Sequence, residues 1–348
     1  MKSPTKNCRS SHRADDNFSE PNLQQKSDKD LNLEVTNVGD ERETFGNLLT
    51  KNQIEAASRF IKATNLKGID GIIKEYETEI RPYVPANLKY EAFTEHETKN
   101  RFKDVVCMDH SRVILNSTTG TDYIHANYVM LKGYWRRRFI AAQNPIDATV
   151  NDYWLMVFQT KSSAIVTFSD SSEELDQNTA LYFPQIPGTS TCYGNVLVYT
   201  KTCFKREGLT VYTYEVSQAS EAMETKLLIM HNWPDRGRPP NKIRMLRLIR
   251  SIPKGTCIVN CTSGIGRTAT VIAIGFALYS FIKREQVPDI SEIVRTIRTQ
   301  RVCAVQTDLQ YLYIYAIVLE YINLKITSSY EKIIIADFMQ HFKNAITR

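Results

Sequence analysis

One short segment limits what this chain can become. Ile258-Val259-Asn260-Cys261 closes an apolar run suited to a buried strand, and Arg267-Thr268-Ala269 opens a long apolar run with helical character. The five residues between Cys261 and Arg267 are Thr262, Ser263, Gly264, Ile265 and Gly266, and the two glycines permit backbone angles that other residues resist. A strand-to-helix loop this short can turn its N–H groups inward as an anion nest, with the positive end of the helix dipole behind them. Arg267 can grip two oxygens of a phosphate with its planar fork. The same positive field favours the thiolate of Cys261, which is the nucleophilic form.

Composition narrows the setting. No run of about 18 apolar residues is free of charge, so no membrane span is expected. Met1 to Ser11 are polar and basic and do not read as a secretory signal. Seven cysteines at irregular spacing do not make a disulfide framework, and no Cys-x-x-Cys pair or His/Cys cluster suggests a metal, so neither metal nor cofactor is expected. Small apolar core cysteines in a reducing, cytoplasmic setting fit best. The net charge is +6, of which Met1 to Thr50 carries −2 and the rest +8. A basic body suits an anionic partner. No basic helix with interleaved aromatics argues for nucleic acid.

Residues 1–50 are polar and poor in large apolar side chains, so they are expected to be a disordered tail. Helical spacing begins at Asn52, with Ile54, Ala57, Phe60 and Ile61, and resumes with Ile69, Ile72, Ile73 and Tyr76 after a break near Asn65 to Gly68. Strands are expected at Ala164–Phe168, Asn195–Thr202, Leu209–Val216, Lys226–His231 and Thr256–Val259. Helices are expected at Thr268–Lys283, Ile290–Thr299, Leu309–Ile326 and Glu331–Ile346. This order predicts an α/β chain: a single domain around a central twisted mixed sheet flanked by helices, with boundaries at 51–326 and an amphipathic helix or tail over 327–348.

At Asn260 to Ala269 the sequence resembles the tyrosine-specific protein phosphatases of the cysteine-dependent class, and the resemblance runs from about Asn52 to Ile326. It implies Cys261 as nucleophile, Arg267 and the loop residues Thr262, Ser263, Gly264, Ile265 and Gly266 as the phosphate cradle, and Asn260 and Thr268 as supporting residues. This chain departs from the family pattern at Asn260, where histidine is usual, at Thr262, where serine is usual, and at Ala269, where glycine is usual. His231 to Gly237 resembles the family's mobile acid loop, with Trp233 as anchor and Asp235 as general acid. Lys99 to Val105 resembles its substrate loop. Phe102 stands there for the usual tyrosine, as a ring to stack on the substrate's phenyl group, and Asp104 holds substrate backbone. Val305 to Tyr311 resembles the loop that handles the hydrolytic water. Gln306 and Gln310 are one helical turn apart, so both can face one pocket. Glu173 falls where the family pairs a glutamate with the loop arginine, and Asn178 where it has a lysine. Asp122 to Asn127 and Phe139 to Pro145 match two further segments, read as scaffold, with His125 and Asn144 departing from the usual residues.

The resemblance implies hydrolysis of phosphotyrosine in proteins. Asn260 keeps a second reading open, a weak or inactive phosphotyrosine-binding module, because asparagine forms hydrogen bonds and cannot carry charge. From sequence alone, Asn260→His should raise turnover. A shallower dual-specificity or phosphoinositide pocket is disfavoured by the 100–105 loop. Arg136-Arg137-Arg138 reads first as a solvated edge and second as a docking patch for acidic phosphoproteins.

Overall fold

The computed structural model describes residues 48–117, 120–134, 137–169, 182–206, 208–234, 236–237 and 241–346. Asp235, Glu173, Asn178, Arg136 and the tail over 1–47 lie outside the described residues.

The chain enters through helix α1 (Lys51–Glu75), whose start is fixed by a capping box between Thr50 and Gln53. At Gly68 the backbone leaves helical geometry, with φ 62° and ψ 179°, so α1 is two helical segments joined at a kink. This is the break read near Asn65 to Gly68. A short helix α2 (Glu91–Glu95) follows.

Nine strands then build one sheet among the described residues: β1 (Arg112–Ile114), β2 (Tyr123–Val129), β3 (Arg137–Gln143), β4 (Ser162–Ser169), β5 (Ser190–Tyr193), β6 (Val196–Arg206), β7 (Leu209–Gln218), β8 (Glu221–His231) and β9 (Gly255–Cys261). Their spatial order is β1-β2-β3-β9-β4-β8-β7-β6-β5. β9 pairs in parallel with β3 and β4, and β4 in parallel with β8, while the outer pairs are antiparallel. The sheet is therefore mixed, as expected. β6 and β8 run longer than their apolar patterns suggested, because β7 pairs their polar outer halves as well.

Side-chain alternation assigns the two faces. Ile140 and Ala142 of β3 join a core cluster with Trp154 and Tyr153 of helix α3 (Val150–Gln159), whereas Phe139 meets Phe276 of helix α5 (Arg267–Arg284) at 5.6 Å. Helices thus cover both faces. α5 is buried along most of its length, which explains why its sequence is apolar all round. Helices α4 (Lys242–Ser251), α6 (Ile290–Arg298), α7 (Asp308–Asn323) and α8 (Ser329–Ala345) complete the layer that contains α5. α8 packs on α1 and α7 and buries Ile335, Phe338 and Phe342. Helices α3 and α4 had no counterpart in the sequence reading. No described helix is long and apolar enough to cross a membrane.

Gly68 offers a test that separates space from backbone preference. A Cβ added there meets nothing within 4 Å. Its φ/ψ combination is nonetheless one that essentially only glycine adopts. Gly68→Ala is expected to lower stability by roughly 1–3 kcal/mol, read as a lower midpoint of urea unfolding. An unchanged midpoint would show that the kink relaxes freely.

Candidate active site

The sheet delivers Cys261 to the carboxyl edge of its parallel strands, where α/β sheets place their ligand crevices. Cys261 is the last residue of β9, opposite Gln143 of β3, and its carbonyl accepts a bond from the N–H of Asn144 at 2.7 Å. The chain then turns over the end of β3. Gly264 has φ +71°, and a Cβ there would lie 2.4 Å from the Ala142 carbonyl, so both angle and space demand glycine. Its N–H donates to Cys261 Sγ at 3.2 Å. A Cβ on Gly266 would sit 3.0–3.3 Å from side-chain atoms of Gln310 and Gln306, which shows both glutamines lying over the loop.

Arg267, the first residue of α5, is buried and folds back across the loop. It donates from Nη2 to Thr262 Oγ1 at 2.8 Å and from Nη1 to the Trp233 carbonyl at 3.0 Å. The second bond ties the turn after β8 to the loop arginine. Trp233 is fully buried against Phe168 at 4.8 Å, and its Nε1 donates to Gly237 O at 3.0 Å, closing the turn on itself. Thr307 Oγ1 donates to Arg236 O at 3.1 Å from the other side. Asp235, next to Pro234 in the sequence, is outside the described residues.

Behind the loop sits Arg301, which is completely buried. It donates to Gly264 O at 3.2 Å, Ser263 O at 2.9 Å, Asn127 Oδ1 at 2.7 Å and His125 Nδ1 at 3.2 Å. Two loop carbonyls are thereby drawn backward, which leaves the loop amides to face the other side. His125 Nε2–H donates to Val105 O at 2.7 Å, so Nδ1 must be the acceptor and the ring neutral. Burial first, and the Arg301 charge second, hold His125 down to about 3.

The glutamine loop is under backbone strain. Cys303 and Val305 adopt φ +60° and +59°, which non-glycine residues avoid. Arg298 donates to Ala304 O at 2.8 Å and to Val305 O at 3.1 Å, Tyr76 Oη reaches Val305 O at 3.2 Å, and the Val305 N–H donates to Ile265 O at 2.9 Å. These bonds hold Gln306 against the phosphate loop. Gln310 accepts from the Gln306 N–H at 2.9 Å, while its buried Nε2 has no partner among the described residues. The buried Thr268 hydroxyl also lacks one. Two donors are thus open beside the loop.

Residues 99–101 are fastened to the end of β3. Gln143 accepts from Arg101 N at 3.1 Å and donates to Lys99 O at 2.8 Å, and Tyr123 Oη donates to Asn100 Oδ1 at 2.6 Å. Phe102 is 37% exposed, an unusual placement for a phenyl ring, and Asp104 is exposed beside it. Of the residues singled out from sequence, the fold therefore gathers Cys261 to Thr268, Trp233, Gln306 and Gln310 around one loop. Asn260 is buried behind the nucleophile. Asp235 and Glu173 lie outside the described residues.

Comparison with known proteins establishes the family and the fold. The family model of the protein-tyrosine phosphatase domain matches residues 96–320. Human receptor-type tyrosine-protein phosphatase epsilon is 37% identical over 228 residues, covering 61% of this chain and 32% of that protein. Human receptor-type tyrosine-protein phosphatase alpha is 33% identical over 258 residues, covering 69% and 32%. The chain spans about a third of the length of these relatives. A solved structure described as the structural basis of the PTPN18 fingerprint on distinct HER2 tyrosine phosphorylation sites has the same fold, with a TM-score of 0.63 at 24% identity, covering 76% of this chain and 98% of that one. The chain belongs to the protein-tyrosine phosphatase family.

Sequence reasoning missed Arg301, Gln143 and Thr307 as organisers of the site. Nothing local marks them. Arg301 reaches a carbonyl 37 positions away, and only the folded chain reveals that distance as short.

His125 makes the brace sensitive to acid. The unfolded chain accepts a proton on His125 near its ordinary 6.5, and the folded chain refuses it down to about 3. Stability from this residue is complete above pH 6.5 and is lost as pH falls through that window, at up to about 1.4 kcal/mol per pH unit. Urea midpoints at pH 7 and pH 5 should fall further apart in the native protein than in His125→Gln. Equal differences would show that His125 does not control the acid response.

Proposed function

We propose that this chain removes phosphate from phosphotyrosine in proteins through a phosphocysteine intermediate on Cys261. The observation that carries the reading is the loop itself: a thiol facing the Gly264 amide at 3.2 Å, with the Arg267 fork folded across it and bonded to Thr262. In the first step the Cys261 thiolate attacks phosphorus, and the bond from phosphorus to the tyrosyl oxygen breaks. Arg267 and the amides of Thr262 to Gly266 carry the charge on the equatorial oxygens. Asp235 gives its proton to the departing oxygen, which would otherwise leave as a costly phenolate. In the second step Asp235 takes a proton from a water held by Gln306. The water oxygen attacks phosphorus, the S–P bond breaks, and inorganic phosphate leaves. The open Nε2 of Gln310 and hydroxyl of Thr268 support this step as donors to water, phosphate or sulfur. Glu173 serves as the partner of the loop arginine.

Arg267 and the amides supply the positive charge that other phosphatases take from metal ions, so the reaction calls for no metal. Phe102 stacks on the substrate's ring and sets a depth that shorter phosphoserine does not reach, and Asp104 receives substrate backbone N–H groups. We place the catalytic domain at 51–326, with a tail over 1–50 and an amphipathic helix in 327–348 that packs on α1 and α7, acting on phosphotyrosine-containing signalling proteins in the cytoplasm.

A second reading stays in view because Asn260 removes the charge a histidine could supply: a module that binds phosphotyrosine without hydrolysing it. Phosphate release from a phosphotyrosine peptide decides between them. The native protein should turn the peptide over, Cys261→Ser should bind it without turnover, and Asp235→Ala should be slower by roughly 10²–10⁴-fold while still binding. Turnover by Cys261→Ser would overturn the mechanism. Binding without turnover by the native protein would establish the module.

A further inference from the structure

The residue before the nucleophile lies in a closed polar cell. Asn260 is fully buried. Its Oδ1 accepts from Tyr153 Oη at 2.7 Å, and its Nδ2 lies 2.6 Å from Asn144 Oδ1, 2.9 Å from Tyr182 Oη and 3.1 Å from Thr167 Oγ1. No member ionises near neutral pH. Amides do not titrate there, and burial raises both phenols further.

Asn144 is the member with two hands on the nucleophile. Its side chain accepts from Asn260, and its backbone N–H donates to the carbonyl of Cys261 at 2.7 Å. Its own carbonyl, with that of Pro145, receives Arg101 Nη2 of the substrate loop at 3.4 Å and 3.2 Å. Two residues read separately as departures from the family pattern therefore touch each other, 116 positions apart in the chain.

We propose that Asn144 is a positioning residue for Cys261 and works as a matched pair with Asn260. The inference rests on the phosphatase reading above and adds a residue to it. The pair orients the strand end that presents the thiol, and it does so with neutral groups alone. The chemistry of the cell explains the match. A carboxamide offers two N–H donors and a carbonyl acceptor, which suits a phenol on one side and the Asn144 oxygen and Tyr182 on the other. A neutral imidazole offers one donor and one acceptor in a larger ring. With Asn144 in place, it leaves an acceptor unserved in a fully buried site and must fit a larger ring among the same four partners. This reverses the sequence expectation for Asn260→His: alone, that exchange lowers activity, and it recovers only when Asn144 is shortened as well.

The experiment is a double-mutant cycle read on two signals: the rate of Cys261 alkylation by iodoacetate across pH, and kcat with KM on a phosphotyrosine peptide. Asn144→Ala and Asn260→Ala should each lower kcat and alkylation about tenfold, with KM little changed, the size of one lost buried hydrogen bond. The double variant should fall about tenfold rather than about a hundredfold, because the pair acts as a unit. Asn260→His should be slower than Asn144→Ala/Asn260→His, and only the double variant should show a second inflection in the alkylation profile, from the imidazole. Should the alanine variants unfold, Asn144→Ser keeps an acceptor on a shorter side chain and should fold, with Cys261 alkylation slower than native and a native rate overturning the pairing. Additive losses, or unchanged alkylation with only a lower melting temperature, would overturn the pairing. Alkylation is read whether or not peptide is hydrolysed. A native protein that alkylates but does not turn over would sink the phosphatase reading and leave the pair intact.

Discussion

A buried guanidinium that has no acidic partner at hydrogen-bond distance among the described residues holds the centre of this structure. Arg301 binds the carbonyls of Ser263 and Gly264 and the side chains of Asn127 and His125. Burying a charge is costly unless its donors are used. Here four neutral acceptors from β2 and the phosphate loop satisfy it, and that demand dictates its surroundings. His125 must be neutral with its lone pair on Nδ1, and the loop must present carbonyls to the rear. A loop that shows carbonyls behind turns its amides toward the front, where Gly264 N–H meets Cys261 Sγ, and that is the arrangement an anion requires.

Two other loops converge on the same point by different means. The turn after β8 arrives through main-chain contacts: the Trp233 carbonyl to Arg267, and the Arg236 carbonyl to Thr307. The glutamine loop arrives by strain, with two non-glycine residues in left-handed geometry held by Arg298 and Tyr76. Strain of this kind survives only where neighbours over-determine the backbone. Arg298 and Tyr76 are buried, and Arg298 also donates to the carbonyls of Ile80 and Arg81, so it ties the segment that carries Gln306 to the end of the first helical region.

The sequence made legible what chemistry fixes over short spacing. Cys261 to Arg267 could be read because a nucleophile, a phosphate fork and two permissive glycines must follow one another closely. Gln306 and Gln310 could be read because one helical turn puts them on one side. The kink at Gly68 was visible as a break in apolar period. Helix α4 was not, because its ten residues lie close behind the Pro-rich segment near 239 and mix arginines with a narrow apolar stripe. β6 and β8 were shortened for a related reason: their outer halves are exposed, and only pairing with β7 makes them strand. The roles of Arg301, Tyr153 and Tyr182 were hidden because their partners lie far away in the chain, and that of Asn144 because it is set by the parallel register of β3 and β9.

That register is the last link from sheet to chemistry. Gln143 stands opposite Cys261 in the β3–β9 ladder, so Asn144 is the first residue beyond it and meets the nucleophile's carbonyl. A slip of one residue would turn Asn260 to the opposite face of β9, away from Tyr153 and Tyr182. It would also place a different residue where Gly264 must pass 2.4 Å, by the measure of a Cβ, from the Ala142 carbonyl. The apolar cores on the two faces, built on Ile140 and Ile258 on one side and on Phe139 on the other, resist that slip because it would exchange the side chains around which each core is packed. Nucleophile geometry is in this way enforced by hydrophobic burial well away from the thiol, and the polar cell around Asn260 refines a position that packing has already chosen.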